Sequence, residues 1–170
     1  MSKKAFTLIE LMITMTIVAM MLVVAVPGFE KYGKKSEFKS RVAEVKALID
    51  QAGVSAKNPE QNVERYVIRV DSSAPKKVGL YKTNDDPSNL IKEVALPSDY
   101  TLTIQGNTYP YLVFNSQLDF TCQLQKDPTS GKIPDCTAAS KLNGDFLLIN
   151  GGDGGTATLK ISADPLRVEY

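Results

Sequence analysis

SKKAFTLIELMITMTIVAMMLVVAVPGF, residues 2–29, decides the architecture of this chain. The apolar run from Phe6 to Val26 covers about 21 residues, which as a helix is long enough to cross a bilayer core. Glu10 is its only charged residue. A carboxylate at a bilayer centre costs on the order of 3 kcal/mol, although the positive end of a helix dipole lowers that cost near the first turn. The segment is therefore predicted to be a membrane helix, and the presence of the Glu10 carboxylate in it requires an explanation.

Three interpretations of this segment compete. A secretory signal peptide fits Lys3 and Lys4 followed by an apolar core, but the far end lacks a small-x-small cleavage pattern. A plain membrane anchor fits the length but leaves Glu10 without a role. In the third interpretation the chain is cut between Ala5 and Phe6. The Phe6 amine of a neighbouring subunit then pairs with the Glu10 carboxylate inside an apolar bundle.

The sequence KKAFTLIELMITMTIVAMMLVVAVPGFEKY resembles the class III signal of type IV pilins and type II secretion pseudopilins, over roughly the first 35 residues. The shared features are a short basic leader, a small residue before Phe6, the FTLIEL run with Glu10 fifth in the mature chain, and Pro27 after the apolar stretch. The resemblance implies cleavage after Ala5 by a prepilin peptidase, N-methylation of Phe6, and assembly into a helical filament. The family usually has Gly at the position of Ala5; because Ala is the nearest residue in size, cleavage is still expected.

The resemblance also implies partners and a location. The partners are other pilin subunits, the prepilin peptidase and methylase, an inner-membrane assembly platform, and membrane lipid before assembly. The subunit would begin in the bacterial inner membrane as a single-pass protein with its N terminus inside, and end in a periplasmic or cell-surface filament. Charge alone leaves the orientation open, because two lysines precede the segment while Lys31, Lys34 and Lys35 follow it.

The predicted fold class is α+β, a pilin-like fold with a long N-terminal helix packed on an antiparallel β-sheet head. Its expected parts are the leader (1–5), a hydrophobic transmembrane or filament-core helix (6–27), an amphipathic helix (28–53) and the β-rich head (54–170). Pro27 is expected to kink or locally melt the helix and to serve assembly, with a simple stop at the membrane edge as the alternative. Gly53 marks the predicted end of the helix.

Two periodicities support this division. An apolar stripe at alternating spacings of four and three indicates a helix face that lies across a sheet: Phe38, Val42, Val45, Ile49 and Ala52. From residue 63 onward, short β-branched or aromatic runs alternate with turn sequences: VERYVIRV, KVGLYK, DYTLTI, YPYLVF, LDFTCQL, DFLLI, TATLKI and LRVEY. Because no long helix is predicted among them, the strands are expected to be antiparallel. The ending GTATLKISADPLRVEY loosely resembles pseudopilin H and minor pilins of the T/U type.

Composition argues against an enzyme. The 170 residues include no His, and 20 Lys and Arg nearly balance 19 Asp and Glu. The lack of His removes the commonest general base and metal ligand, and the balanced charge gives no general case for a nucleic-acid partner. We therefore expect no catalytic residue, no metal site and no cofactor.

Cys122 and Cys136 are the only cysteines. An even count, an exported context and the absence of His favour one disulfide, with two reduced and buried thiols as the alternative. Closing the loop would contribute roughly 3 kcal/mol to stability through the unfolded state.

Four weaker motifs have both a functional and a structural interpretation. NGGDGG, residues 150–155, is a calcium loop or a hairpin turn, and its single carboxylate, Asp153, favours the turn. Asp85 and Asp86 have two interpretations, a catalytic pair or, as we expect, solvated carboxylates in a loop. An alternative function is a tip-located minor pilin that binds DNA or a surface ligand through its head. Four lysines would then form a DNA-binding patch, although we expect them to be a solvated surface: Lys76, Lys77, Lys82 and Lys92. Five tyrosines have two interpretations, a base-stacking platform or, as we expect, core and cross-strand packing: Tyr66, Tyr81, Tyr100, Tyr109 and Tyr111.

Overall fold

The computed structural model describes residues 7–61, 63–83, 85–105, 109–115, 121–137, 142, 144–161 and 168–169. Within these ranges a single long helix, α1 (Leu8–Lys57), precedes a series of strands. The strands are β1 (Arg65–Asp71), β2 (Lys77–Lys82), β3 (Leu90–Ala95), β4 (Thr101–Ile104), β5 (Tyr111–Asn115), β6 (Thr121–Leu124), β7 (Gly144–Asn150), β8 (Thr156–Ile161) and β9 (Val168–Glu169). The predicted α+β class, with one long N-terminal helix and antiparallel pairing, is confirmed.

Helix α1 begins after Thr7, whose hydroxyl accepts a hydrogen bond from the Glu10 N–H at 3.3 Å. Its helical backbone is continuous through Pro27, so the helix neither stops nor melts there, and the kink expected at Pro27 stays a prediction. It also passes the predicted end at Gly53 and closes at Lys57, one turn later. The physical reason for the extension is burial. Ala56, one turn beyond Ala52, still faces the core, and its burial stabilises a further turn of helix.

The strands form two antiparallel sheets rather than the one sheet that the sequence predicted. The first sheet has the order β3-β2-β1-β5-β6, and the second has the order β4-β7-β8-β9. Strand β3, with the sequence LIKEVA, was missed in the strand prediction. It lies at an edge of the first sheet and is mostly exposed, so its apolar alternation is weak.

The core lies between α1 and the sheets. The predicted helix stripe is confirmed, since all five of its residues are buried, and Leu48 joins them. Alternate residues of β1 divide between two clusters, with Ile68 on the helix side and Val67 on the opposite side. The first sheet is therefore apolar on both faces.

The segment after β6 covers the outer face of the first sheet. Ile133 packs there with Tyr81, Tyr111 and Val113. A disulfide joins Cys122 on β6 to Cys136 in this segment, with the two Cα atoms 5.7 Å apart. The predicted pairing of the two cysteines is present, and it fixes the covering segment to the sheet that it buries.

Candidate assembly surface and membrane anchor

Every residue of the N-terminal half of α1, residues 8–23, is exposed, and all of its side chains except Glu10, Thr14 and Thr16 are apolar. Its large apolar side chains are 48–79% exposed. Its length and composition are sufficient to cross a membrane. An exposed apolar surface of this extent marks a region that a membrane or other protein chains must cover.

The hydroxyl groups in this half are satisfied within the helix. Thr14 donates to the Leu11 carbonyl at 2.9 Å, and Thr16 donates to the Met12 carbonyl at 2.8 Å. Such bonds remove the cost of placing a hydroxyl in hydrocarbon, because no donor is left without an acceptor. The two threonines are therefore compatible with an apolar environment.

Glu10 differs from the two threonines. It lies in the first turn of α1, where the helix dipole favours a carboxylate. Its side chain is exposed and forms no hydrogen bond or ion pair with the part of the chain that the structure describes. Ala5 and Phe6 lie outside the described residues, so the cut between them and the pairing of Glu10 with a Phe6 amine stay predictions.

The other half of α1 is fixed to the head, partly through the connection between β7 and β8. This connection is the predicted hairpin turn at residues 150–155, and it packs against α1. Lys34 pairs with Asp153 at 3.1 Å, and Phe38 packs against the glycines of the turn. The apolar half and the head are thus joined by one helix that is held at its centre.

Residues 1–26 match the family model of the prokaryotic N-terminal methylation motif. The chain carries the class III signal of type IV pilins and pseudopilins. No curated protein and no solved structure matches it. The motif supports a member of the type IV pilin or pseudopilin family, and it suggests a structural subunit rather than an enzyme. It implies processing by a prepilin peptidase and assembly with other pilin subunits, and together with the apolar helix it fits membrane anchoring before assembly.

Contacts within the head engage most of the lysines of the predicted DNA-binding patch. Lys77 pairs with Glu93 at 2.8 Å, and Lys82 pairs with Glu60. The ammonium group of Lys76 donates to the backbone carbonyls of residues 98 and 100. Three of the four candidate lysines are therefore engaged by groups of this chain, which reduces what they offer to phosphate.

The tyrosines follow the structural interpretation. Tyr66, Tyr81, Tyr100 and Tyr111 are buried, and Tyr109 alone of the five is exposed. A stacking platform needs several exposed rings side by side. The prediction of packing within the head is confirmed for the four buried tyrosines and is wrong for Tyr109.

The residues that the structure describes contain no group of three or more His, Cys, Asp or Glu side chains placed to hold a metal ion. Asp153, the one carboxylate of the candidate calcium loop, is instead paired with Lys34. The Asn150 side chain accepts from the Gly152 N–H at 2.9 Å, which is a contact of a turn.

Asp85 contradicts its prediction as a solvated loop carboxylate, because its side chain is only 6% exposed. It accepts hydrogen bonds from the Tyr111 hydroxyl at 2.9 Å and from Lys126 Nζ at 3.0 Å, and Arg69 lies 3.6 Å away. Burial alone would raise the pKa of Asp85, but these two hydrogen bonds and the nearby cations outweigh it, so the pKa lies below its ordinary value. Burial, followed by the bond to Asp85, raises the pKa of Tyr111 to about 12.

The sequence offered no signal for this cluster, because its members come from β1, β5 and two separate loops. The cluster around Asp85 borders the outer apolar face of the first sheet. Tyr111 connects the two, because its ring packs in the apolar cluster and its hydroxyl bonds Asp85. The arrangement holds the loop of Asp85 against Tyr111 of β5 and Lys126, and we interpret it as a structural contact.

Asp85→Asn is expected to lower the free energy of unfolding at pH 7 by on the order of 2 kcal/mol, because it leaves Lys126 and Arg69 facing a neutral group. The folded pKa of Asp85 is depressed, so its contribution is present above about pH 4 and is lost as the pH falls through the folded value. Urea titrations at pH 7 and at successively lower pH values should show the gap to wild type narrowing on the acid side. The exposed Asp99→Asn is the control and should stay close to wild type. A gap that is independent of pH would contradict the ionic role of Asp85.

Proposed function

We propose that this chain is a structural subunit of a type IV pilus or type II secretion pseudopilus filament. It is cleaved after Ala5, N-methylated on Phe6 and assembled through α1. The observation that carries the proposal is the exposed apolar surface of residues 8–23, which is continuous with a helix half that is buried in the head. A single rigid helix can in this way offer one half to lipid or neighbouring subunits while the other half holds the folded head.

The apolar half serves two environments in turn. In the membrane, lipid covers it on all sides, which suits a helix without a polar face. In the filament, the helices of other subunits take the place of lipid, and a head-to-tail contact that does not close extends the array. Lipid tails are as apolar as the side chains that replace them, so this exchange gains little from the hydrophobic effect. Close packing and polar pairs must supply the specific part of the free energy, and Glu10 is the charged group available for that purpose.

The orientation and final location belong to the same proposal. The N terminus lies on the cytoplasmic side of the bacterial inner membrane, and the head lies in the periplasm before it enters a periplasmic or surface filament. The disulfide between Cys122 and Cys136 supports this location for the head, because such bonds persist in oxidising compartments. An inner-membrane assembly platform would lift the subunit from the bilayer.

Processing can be tested by intact mass and N-terminal sequencing of the protein from membrane and sheared-surface fractions. The expected chain begins at methylated Phe6, because the peptidase removes the five-residue leader. Cells without prepilin peptidase are the control and should retain the leader residues up to Ala5. Ala5→Gly, which restores the residue that is usual in the family, should be processed at least as completely as wild type. A cut beyond Val26, or an intact N terminus in cells with the peptidase, would contradict the proposal.

A further inference from the structure

An exposed aromatic pair lies on α1 between the apolar half and the head. Phe29 is 75% exposed and Tyr32 is 77% exposed. At about 100° per residue, Phe29 lies about half a turn around the helix from Phe38, which faces the head. The pair therefore points away from the head and is not part of its core.

The position of this pair along the helix matches the thickness of a bilayer. At a rise of about 1.5 Å per residue, Phe29 lies about 32 Å and Tyr32 about 36 Å from Leu8. The hydrocarbon core of a bilayer is about 30 Å thick. When Leu8 is at one boundary of the core, Val18 lies near the midplane and the aromatic pair reaches the opposite boundary.

The neighbouring charges suit the same boundary. Lys31 and Lys35 are exposed and form no ion pair within the described parts of the chain, whereas Lys34 is held by Asp153. Lysine stems extend along apolar surface and bring the ammonium group to lipid phosphates, and aromatic rings are enriched at the same depth. Glu30 lies in the same segment, so with Lys34 paired to Asp153 the remaining charged side chains, Lys31, Lys35 and Glu30, sum to +1. The contact is then with individual phosphates rather than with a strongly anionic surface.

We propose that residues 29–35, the interfacial segment, bind the phospholipid headgroup layer on the far side of the membrane. Phe29 and Tyr32 lie at the boundary of the hydrocarbon, and Lys31 and Lys35 bind lipid phosphates. The segment holds α1 at one depth with the head against the bilayer surface until the subunit is withdrawn. This inference rests on the proposed function in one respect, which is that the subunit spans a membrane before it assembles.

The chain contains no Trp, so a single introduced Trp reports the depth of one position. The full chain with Phe29→Trp, Tyr32→Trp, Val18→Trp or Val54→Trp would be reconstituted in vesicles of phosphatidylethanolamine and phosphatidylglycerol. The vesicles would carry a fluorescence quencher either at headgroup level or near the end of the acyl chains. Val54 is a matched control, because it is exposed and lies on the same side of α1 as Phe29 but well outside the bilayer.

The two probes in the interfacial segment should lose most of their fluorescence to the headgroup quencher and little to the deep one. The Val18→Trp probe should show the reverse, and the Val54→Trp probe should lose little to either. In the Tyr32→Trp chain, Lys31→Gln together with Lys35→Gln should weaken headgroup quenching, because the ammonium contacts that fix the depth are removed.

Failure of the inference can be separated from failure of the proposed function. If Val18→Trp is not quenched by the deep label, the helix does not span the bilayer and the proposed function loses its membrane stage. If Val18→Trp is quenched but the two interfacial probes are unquenched, or are quenched as deeply as Val18→Trp, only the interfacial role is overturned. Shielding of Tyr32→Trp that appears only at high protein-to-lipid ratio would assign this surface to a neighbouring subunit instead.

Discussion

Glu10→Ala and Glu10→Val are expected to leave the head folded and to remove the subunit from filaments. Residues 8–23 are all exposed and none of them belongs to the core of the described residues, so the substitution leaves that core unchanged. In the membrane the change removes the cost of a carboxylate, so the anchored subunit should be as stable as wild type or more so. In a filament it removes the one charged group of the apolar half, and the Phe6 amine of the neighbour would be buried without its partner. The substitution therefore favours the membrane state and disfavours assembly.

Co-expression of mutant and wild-type subunits measures this effect as the mutant share of sheared filaments. Glu10→Gln separates charge from size and should assemble poorly, because a neutral amide cannot neutralise an amine. Thr14→Ala is a control in the same exposed half, since its hydroxyl only bonds the Leu11 carbonyl, and it should enter filaments normally. If the Glu10 mutants make up the same share of sheared filaments as wild type, the proposed role of Glu10 is wrong.

The sequence predicted those parts of the fold that depend on local periodicity. The stripe from Phe38 to Ala52 is buried as expected, and β2 and β8 match the predicted runs residue for residue. Strand β3 was missed because it lies at a sheet edge, where Lys and Glu are tolerated and the alternation is weak. The division into two sheets was also missed, because strand pairing is decided by contacts between distant parts of the chain.

Side-chain environments were harder to predict than elements. Asp85 was expected in solvent because it lies in a polar loop, yet it is buried and bonded to Tyr111 and Lys126, which are distant in the sequence. The glycines of the β7–β8 turn were predicted as turn formers. Their close packing against Phe38 could not be predicted, because it depends on the position of α1. For the candidate site, the exposed apolar half was predicted directly, because a single helix carries it and no tertiary contact is required, whereas the role of Glu10 stays a prediction.

The docking of the β7–β8 turn on α1 depends on Phe38, and Phe38→Ala is expected to lower the free energy of unfolding by about 3–5 kcal/mol. Phe38 is only 4% exposed, and its ring centroid lies 5.7 Å from that of Tyr100. The turn fits closely over the same ring. A Cβ atom added at Gly151 would lie 2.4 Å from Phe38 Cδ2, and one added at Gly154 would lie 2.8 Å from Phe38 Cβ. The two glycines are thus required by packing against the helix.

A double-mutant cycle tests this fit, with unfolding of the full chain in detergent followed by circular dichroism. Gly151→Ala alone should destabilise by about 1–3 kcal/mol through overpacking, and its cost should largely vanish in the Phe38→Ala background, where the added methyl group enters vacated space. Gly33→Ala is the matched control, because its Cβ would meet nothing within 4 Å. It should stabilise by about 0.5–1 kcal/mol, as expected for Ala replacing Gly inside a helix. If the costs of Gly151→Ala and Phe38→Ala simply add, the turn does not rest on Phe38. The junction that carries the head on the assembly helix would then have to lie in the contacts of the first sheet.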